Sequence, residues 1–161
     1  LCGRAEPWEV GGYVNTVVGG SVGTGRLLGF GGSIIYRLNY IYSLEVAVSQ
    51  YGVSYDEKVS PTNSISGVSD VSSVSASLRI HIVSRFKTLQ PYAGIGAGSF
   101  VFADREMRDE NGIKPHVLLG VRKILDEGLF LSGDYRYALD NMGSGEHSGH
   151  GLLRVGIQLE L

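Results

Sequence analysis

The strongest constraint on this chain is a period of two in its apolar residues, which recurs along almost the whole sequence. In the segment 42–50 one face carries Tyr42, Leu44, Val46 and Val48, and the other carries Ser43, Glu45, Ala47 and Ser49. Successive side chains of a β-strand point to opposite faces, whereas a helix repeats every 3.6 residues. The pattern therefore predicts β-strands and no helix of useful length.

Eight such runs follow one another, at 8–19, 27–37, 42–50, 74–86, 91–103, 114–124, 129–139 and 153–161. The apolar face of the run 91–103 stays open, because either Tyr92 and Phe100 or Ile95 and Val101 can form it. We expect Pro91 to be the first residue of its strand, since proline cannot donate to a ladder. A chain of 161 residues predicts one domain, 1–161.

Residues 1–7 are expected to form an N-terminal tail. Gly3-Arg4-Ala5 has the small-residue spacing of a signal-cleavage remnant, which would make Glu6 the mature start. Cys2 is the only cysteine, so the fold must hold without an internal disulfide.

The connections between the runs alternate in length. Short ones are expected at 38–39, 87–90 and 126–128, and longer polar ones at 20–26, 56–72, 104–113 and 140–149. Short turns at one end and long loops at the other are typical of outer-membrane barrels, whose strands need only about 9–11 residues to cross. The predicted fold class is all-β, an eight-stranded antiparallel up-and-down transmembrane β-barrel with both termini at the turn end.

The polar face indicates which side of the barrel faces inward. It carries Glu9, Arg37, Glu45, Arg79, Arg85, Arg122, Asp134, Arg136, Arg154 and Glu160 between small residues, and only Lys123 of the four lysines is expected in a strand. Arginine pairs bidentately with carboxylates, and an unpaired charge in a narrow lumen is costly. We therefore predict an interior polar network of Glu45, Arg79, Arg85, Arg122, Asp134, Arg136, Arg154 and Glu160. A soluble lipocalin-like ligand carrier would instead place the apolar face inside.

The aromatic residues favour the membrane alternative. Trp8, Tyr36, Tyr42 and Phe86 are expected near the turn end, and Phe30, Phe100, Tyr135 and Tyr137 near the loop end. Two aromatic belts separated by aliphatic residues are typical of a protein that crosses both interfaces of a bilayer.

Three segments carry a resemblance to a known family. They are Pro91-Tyr92-Ala93-Gly94-Ile95-Gly96-Ala97-Gly98, Asp134-Tyr135-Arg136-Tyr137 and the closing run from His147 to Leu161. In order and spacing they resemble the small OmpA/OmpX-like outer-membrane barrel superfamily over almost the whole chain. The resemblance implies a structural, adhesive or surface-exposed role. The family usually ends in Phe or Trp, which the barrel-insertion machinery reads, whereas Leu161 stands here.

Candidate catalytic and metal sites are few. Glu146-His147-Ser148-Gly149-His150, with Asp134, is the one nucleophile-like group, but adjacent residues of a strand point to opposite faces. Two histidines three residues apart are a weak metal signal, and His81 and His116 are expected to be satisfied polar groups of strand faces. The glycine patterns at 19–32 and 94–98 lack the helix that a dinucleotide site requires. We predict no enzyme, no catalytic or metal site and no cofactor.

The prediction is therefore an integral protein of the cell outer membrane with a structural or surface-interaction role. Its expected partners are outer-membrane lipids and lipopolysaccharide, the barrel-insertion machinery, and an extracellular partner that binds loops 56–72, 104–113 and 140–149. A net charge of −2 with scattered Lys and Arg gives no case for nucleic acid. The alternatives are a lipid A-modifying barrel enzyme, a narrow small-solute pore and the soluble carrier.

Overall fold

Eight strands make up the regular structure of the chain. The computed structural model describes residues 7–20, 28–60, 63–82, 88–103, 112–139 and 149–161. The strands are β1 (Trp8–Gly20), β2 (Leu28–Arg37), β3 (Tyr42–Ser60), β4 (Asn63–His81), β5 (Leu89–Phe102), β6 (Gly112–Asp126), β7 (Leu129–Leu139) and β8 (Gly149–Glu160). No helix long and apolar enough to cross a membrane occurs among these residues.

The strands form one closed barrel in which each pairs antiparallel with its neighbours in sequence. The seam between β1 and β8 pairs Glu9 with Glu160, and Leu161 N donates to Trp8 O at 3.0 Å. The two ends of the barrel differ in their connections. The turn end carries the links 38–41, 82–88 and 127–128, together with Pro7 and Leu161, and the loop end carries the other four connections. The predicted all-β, up-and-down barrel with both termini at the turn end is confirmed.

The predicted loop 56–72 is wrong. β3 and β4 each have 19 residues, and they pair continuously from Tyr42↔Ile80 to Ser60↔Asn63 apart from one irregularity near the tip. The serine-rich sequence hides this hairpin because it lacks apolar alternation, while antiparallel pairing needs only backbone groups. The link 61–62 is therefore much shorter than a loop-end connection was expected to be.

The other predicted boundaries change by a few residues. β5 begins at Leu89, so Pro91 is its third residue, and Asp126 belongs to β6. Pro91 pairs with Val121 of β6, whereas the ladder with β4 begins one residue later at Tyr92. Pro7 is held by a hydrogen bond from Arg37 N to its carbonyl oxygen, while residues 1–6 of the predicted tail lie outside the described residues.

The structure shows which residues of β5 face the lumen and which face outward. Tyr92 and Phe100 are buried in the lumen, and Ile95 and Val101 face outward with more than half of their surface exposed. Strands β3, β4 and β8 follow the same rule: Val46, Val74 and Val155 face outward, and each of these strands has a buried charged residue on its other face. An apolar outer wall around a charged interior is the arrangement of a membrane barrel, so the faces exclude the soluble lipocalin-like alternative.

Two details of the predicted faces are wrong. Phe100 belongs to the lumen and not to the loop-end belt. Lys58 and Lys114 also lie in strands, and Lys114 is buried, so Lys123 is not the only strand lysine. The outward aromatic residues at the turn end include Trp8, whose ring lies 4.7 Å from that of Tyr36. Phe86 is outside the described residues.

Candidate functional site in the lumen of the barrel

Five charged side chains meet in the middle of the lumen, and we call them the central cluster. They are Glu45 from β3, Arg79 from β4, Asp134 and Arg136 from β7, and Arg154 from β8. All five are buried. They belong to strands on opposite sides of the barrel, so the cluster ties the wall together across its interior.

Glu45 binds all three arginines of the central cluster. Its Oε1 accepts from Arg79 and, at 3.0 Å, from Arg154 Nη2, and its Oε2 accepts from Arg136. The side chain has 1% of its surface exposed. A buried carboxylate is stabilised only if such partners replace the water it has lost.

Asp134 also accepts several hydrogen bonds. Arg154 donates two, from Nε to Oδ1 at 3.0 Å and from Nη2 to Oδ2 at 2.8 Å, and Arg136 Nε donates a third to Oδ1 at 3.1 Å. The hydroxyl of Tyr92 donates to Oδ2 at 3.0 Å. The two-pronged contact with Arg154 fixes the geometry as well as the charge.

Two tyrosines pack against the guanidinium groups of the central cluster. The carbon Cζ of Arg154 lies 4.1 Å from the ring centre of Tyr13, and that of Arg79 lies 4.8 Å from the ring centre of Tyr92. Glycines make room for both rings, because a Cβ at Gly31 would lie 2.5 Å from the ring of Tyr13. A Cβ at Gly120 would lie 2.4 Å from the ring of Tyr92.

A second ionic group, the turn-end cluster, lies nearer the short connections. It consists of Glu9, Arg37, Gln90, Arg122 and Glu160. Arg122 Nη1 donates to both oxygens of Glu9 at 2.9 and 3.1 Å, and its Nε donates to Gln90 Oε1 at 2.7 Å. Arg37 also binds Glu9, but only a 3.7 Å ion pair joins it to Glu160.

The loop-end side of the lumen is closed by apolar side chains. This apolar layer contains Val17, Tyr51, Val71, Phe100, Ala138 and Leu152, all buried. Two small cavities, of about 20 and about 10 Å³, lie between interior side chains of the described residues. Each has room for about one water molecule. Cavities of this size agree with the expectation that eight strands enclose an interior filled by side chains.

Seven of the eight residues predicted as an interior network fall into these two groups. The central cluster contains Glu45, Arg79, Asp134, Arg136 and Arg154; Arg122 and Glu160 belong to the turn-end cluster; and Arg85 lies outside the described residues. Sequence reasoning missed Tyr13, Tyr92 and Gln90 as polar partners. The alternation within their strands could have identified these residues, since each lies on the same strand face as a charged residue or a glycine.

The remaining candidates can also be located. His81 Nε2 and His116 Nε2 each lie 2.8 Å from a serine Oγ, of Ser43 and Ser77 respectively. Glu146, His147 and Ser148 lie outside the described residues. Among the residues that the structure does describe, no group of three His, Cys, Asp or Glu side chains is arranged to hold a metal ion.

Comparisons with known proteins address the fold. No family model and no curated protein matches the sequence. Among solved structures, Neisserial surface protein A is 19% identical with a TM-score of 0.69, covering 99% of this chain and 100% of that one. The outer membrane protein OprG from Pseudomonas aeruginosa is 14% identical with a TM-score of 0.64, covering 98% and 97%.

Ail, the attachment invasion locus protein of Yersinia pestis, is 15% identical with a TM-score of 0.54, covering 96% of each chain. These similarities extend over nearly the whole chain. The chain therefore has the fold of these small eight-stranded outer-membrane β-barrels, as its resemblance to the OmpA/OmpX-like proteins predicts.

Proposed function

We propose that this barrel is a surface protein of the outer membrane that binds an extracellular partner through its loop end and has no enzymatic role. The observation that carries the proposal is the β3–β4 hairpin. Strands β3 and β4 continue well beyond the last residues that pair with β2 and β5. The lumen below this hairpin is filled by side chains.

The length of the hairpin follows from the registers. Pairing of β2 with β3 ends at Phe30↔Gln50, and pairing of β4 with β5 ends at Val71↔Phe102. From there to Ser60↔Asn63 the two strands pair with each other, and Ala103 N adds one hydrogen bond to Asp70 O at the base of the hairpin. About ten residues at roughly 3.3 Å each correspond to a projection of about 30 Å. Loop ends of such barrels are extracellular, which would give the hairpin access to surfaces outside the cell.

The charge of the loop end limits the chemistry of the partner. The segment 53–70 has Asp56, Glu57 and Asp70 against Lys58, the segment 104–111 has four acidic residues against two arginines, and 140–148 has two acidic residues and neither Lys nor Arg. Ail has been solved with the heparin analogue sucrose octasulfate. We expect the opposite preference in this chain, for a cationic or uncharged surface, because acidic segments repel a polyanion.

The other expected partners follow from membrane residence. The apolar outer wall is suited to contact with outer-membrane lipids and lipopolysaccharide, and a barrel of this type requires the insertion machinery. A small-solute pore is less well supported, because the lumen holds two ionic clusters and an apolar layer. A lipid A-modifying activity would have to rest on His147 and Ser148 and would change the mass of lipid A in cells that carry the protein.

The test uses the full chain refolded in nanodiscs of zwitterionic lipid. One variant replaces residues 53–69 by a two-residue Asn-Gly turn, which suits a tight hairpin. A matched control, Asp56→Asn with Glu57→Gln, keeps the length of the hairpin and removes two negative charges. Binding to polylysine-coated and to heparin-coated beads is measured for all three proteins.

We expect the natural chain to bind polylysine beads, the control to bind them several-fold less, and the shortened variant to lose most binding. A heat-dependent gel shift in all three proteins verifies that the barrel remains closed. If the shortened variant keeps its gel shift and binds as well as the natural chain, the hairpin is not the binding element. Tighter binding to heparin beads than to polylysine beads would contradict the proposed charge preference.

A further inference from the structure

The larger of the two cavities in the lumen is lined, among the described residues, by positively charged side chains and by no negatively charged one. Its volume is about 20 Å³, above the roughly 10–15 Å³ that one water molecule needs. Arg136, Arg154, His116 and the hydroxyls of Ser49, Ser73 and Ser75 line its polar side, and three members of the apolar layer cover the rest. No carboxylate is among the lining residues, so both charged groups at the cavity are cations.

The central cluster beside this cavity also has an excess of positive charge. It contains three guanidinium groups and only two carboxylates, all buried. Each arginine is paired with a carboxylate, but the two carboxylates are shared among three guanidinium groups. The cluster as a whole therefore has one positive charge in excess, and a negative ion within reach would stabilise this arrangement.

The serine hydroxyls complete a set of hydrogen-bond donors. Ser75 Oγ accepts a long bond of 3.5 Å from Arg136 Nη1, which leaves its own proton available. Ser49 Oγ and Ser73 Oγ lie 2.8 Å apart, and one of the two can donate to the other while the second proton points elsewhere. A hydroxyl both donates and accepts, and a guanidinium only donates, so the cavity suits a ligand that accepts hydrogen bonds.

The smaller cavity, of about 10 Å³, provides the contrast. Its lining includes the carboxylate of Asp134 and the side chain of Gln158, whose Oε1 is buried without a partner. The carboxylate disfavours an anion here, and Gln158 Oε1 needs a donor, which water supplies and an anion does not. Arg154 lines both cavities and therefore lies between two sites of opposite preference.

We propose that the larger cavity binds one small monovalent anion of the halide class, which neutralises the excess charge of the central cluster. The smaller cavity takes a water molecule. The anion is part of the folded barrel and is held by Arg136, Arg154 and the serine hydroxyls.

The test compares halide and non-halide salts on the full chain refolded in detergent. The temperature at which the unheated gel migration is lost is measured in sodium bromide and in sodium gluconate at equal ionic strength. A ligand that binds only the folded state stabilises it by mass action, so bromide at about a hundred times its dissociation constant should raise this temperature by about 5 °C or more. Crystals grown in bromide should show an anomalous peak in the cavity.

Two variants separate the cavities. Ser75→Val fills the larger cavity with methyl groups and should abolish the difference between bromide and gluconate. Ser132→Ala, at the smaller cavity, should keep it. If Ser75→Val does not fold, Ser75→Ala, which removes only one donor, should weaken the bromide effect several-fold. Equal stability of the natural chain in both salts, or a cavity without an anomalous peak, would overturn the proposal and leave water as the occupant.

Discussion

The two ionic clusters of the lumen use the same residue types and differ in their access to solvent. In the central cluster each carboxylate binds at least two arginines, and no member has more than a few per cent of its surface exposed. In the turn-end cluster the side chains of Arg37 and Glu160 are 22% and 17% exposed, and no hydrogen bond links them. The two clusters thus contain the same kinds of charged group, but the central cluster is buried and part of the turn-end cluster is exposed to solvent.

This difference in exposure changes how much stability is lost when an ion pair is broken in each cluster. Exposed pairs are worth roughly 0–1 kcal/mol because water and salt screen them. Removing one partner of a buried pair costs about 3–5 kcal/mol, because the other charge is left without compensation. The central cluster is therefore sensitive to the loss of any one charged partner, whereas the outer part of the turn-end cluster is not.

The largest expected effect comes from Glu45→Gln. The change keeps the volume of the side chain and leaves three buried arginines facing Asp134 alone, so the free energy of unfolding should fall by about 3–5 kcal/mol. Urea titration of the refolded protein measures it, with the fluorescence of Trp8, the only tryptophan, as the probe. A loss below about 1 kcal/mol would show that the central cluster behaves like an exposed pair.

The sequence predicts the clusters only in part. Alternation places each charge on the inner face, because a strand has a fixed period of two. It does not say which arginine meets which carboxylate. Glu45 and Arg154 are 109 residues apart, and their contact depends on the stagger of strands around the closed barrel. That stagger arises from all eight registers together and has no local signature.

A weak side-chain signal explains both the open register of β5 and the wrong prediction of a loop at 56–72. In β5 the glycines at 94, 96 and 98 have no side chain to mark a face, so only pairing with β4 and β6 settles the register. The segment 56–72 is rich in serine and its apolar residues do not alternate regularly, so the sequence pattern resembles a loop. Backbone hydrogen bonds form the hairpin there, and they leave no trace in composition.

A cation on the outer wall gives the next largest effect. Val46 is adjacent to Glu45 in sequence but faces outward, with 54% of its surface exposed. Val46→Arg should cost about 2–4 kcal/mol near the bilayer midplane, while Tyr42→Arg, near the turn end, should cost about 0–1 kcal/mol. Unfolding in lipid vesicles measures both variants. Equal costs would mean that the wall does not cross a bilayer at these depths.

Gly120→Ala tests how closely the central cluster is packed. A Cβ at this position would lie 2.4 Å from the ring of Tyr92 and 2.7 Å from Cβ of Asp134, so the pair must shift, at a cost of about 1–3 kcal/mol. Gly12→Ala is the control, because its Cβ would meet nothing closer than Gly31 O at 3.9 Å. The control should remain within about 1 kcal/mol of the natural chain in urea titration. If both substitutions have the same cost, Gly120 does not make room for Tyr92.

The smallest expected effect is that of Glu160→Gln, and it completes the contrast with Glu45→Gln. Within the described ranges Glu160 forms an ion pair with Arg37, at 3.7 Å, and both side chains are partly exposed, so the loss should not exceed about 1 kcal/mol. Raising the salt from 0.1 to 1 M shortens the screening length from about 10 to about 3 Å, which should remove most of this small loss. With sodium gluconate as the salt, the loss from Glu45→Gln should persist in the same titration, because gluconate does not enter between buried partners. Identical salt responses of the two variants would mean that the clusters differ in position and not in hydration.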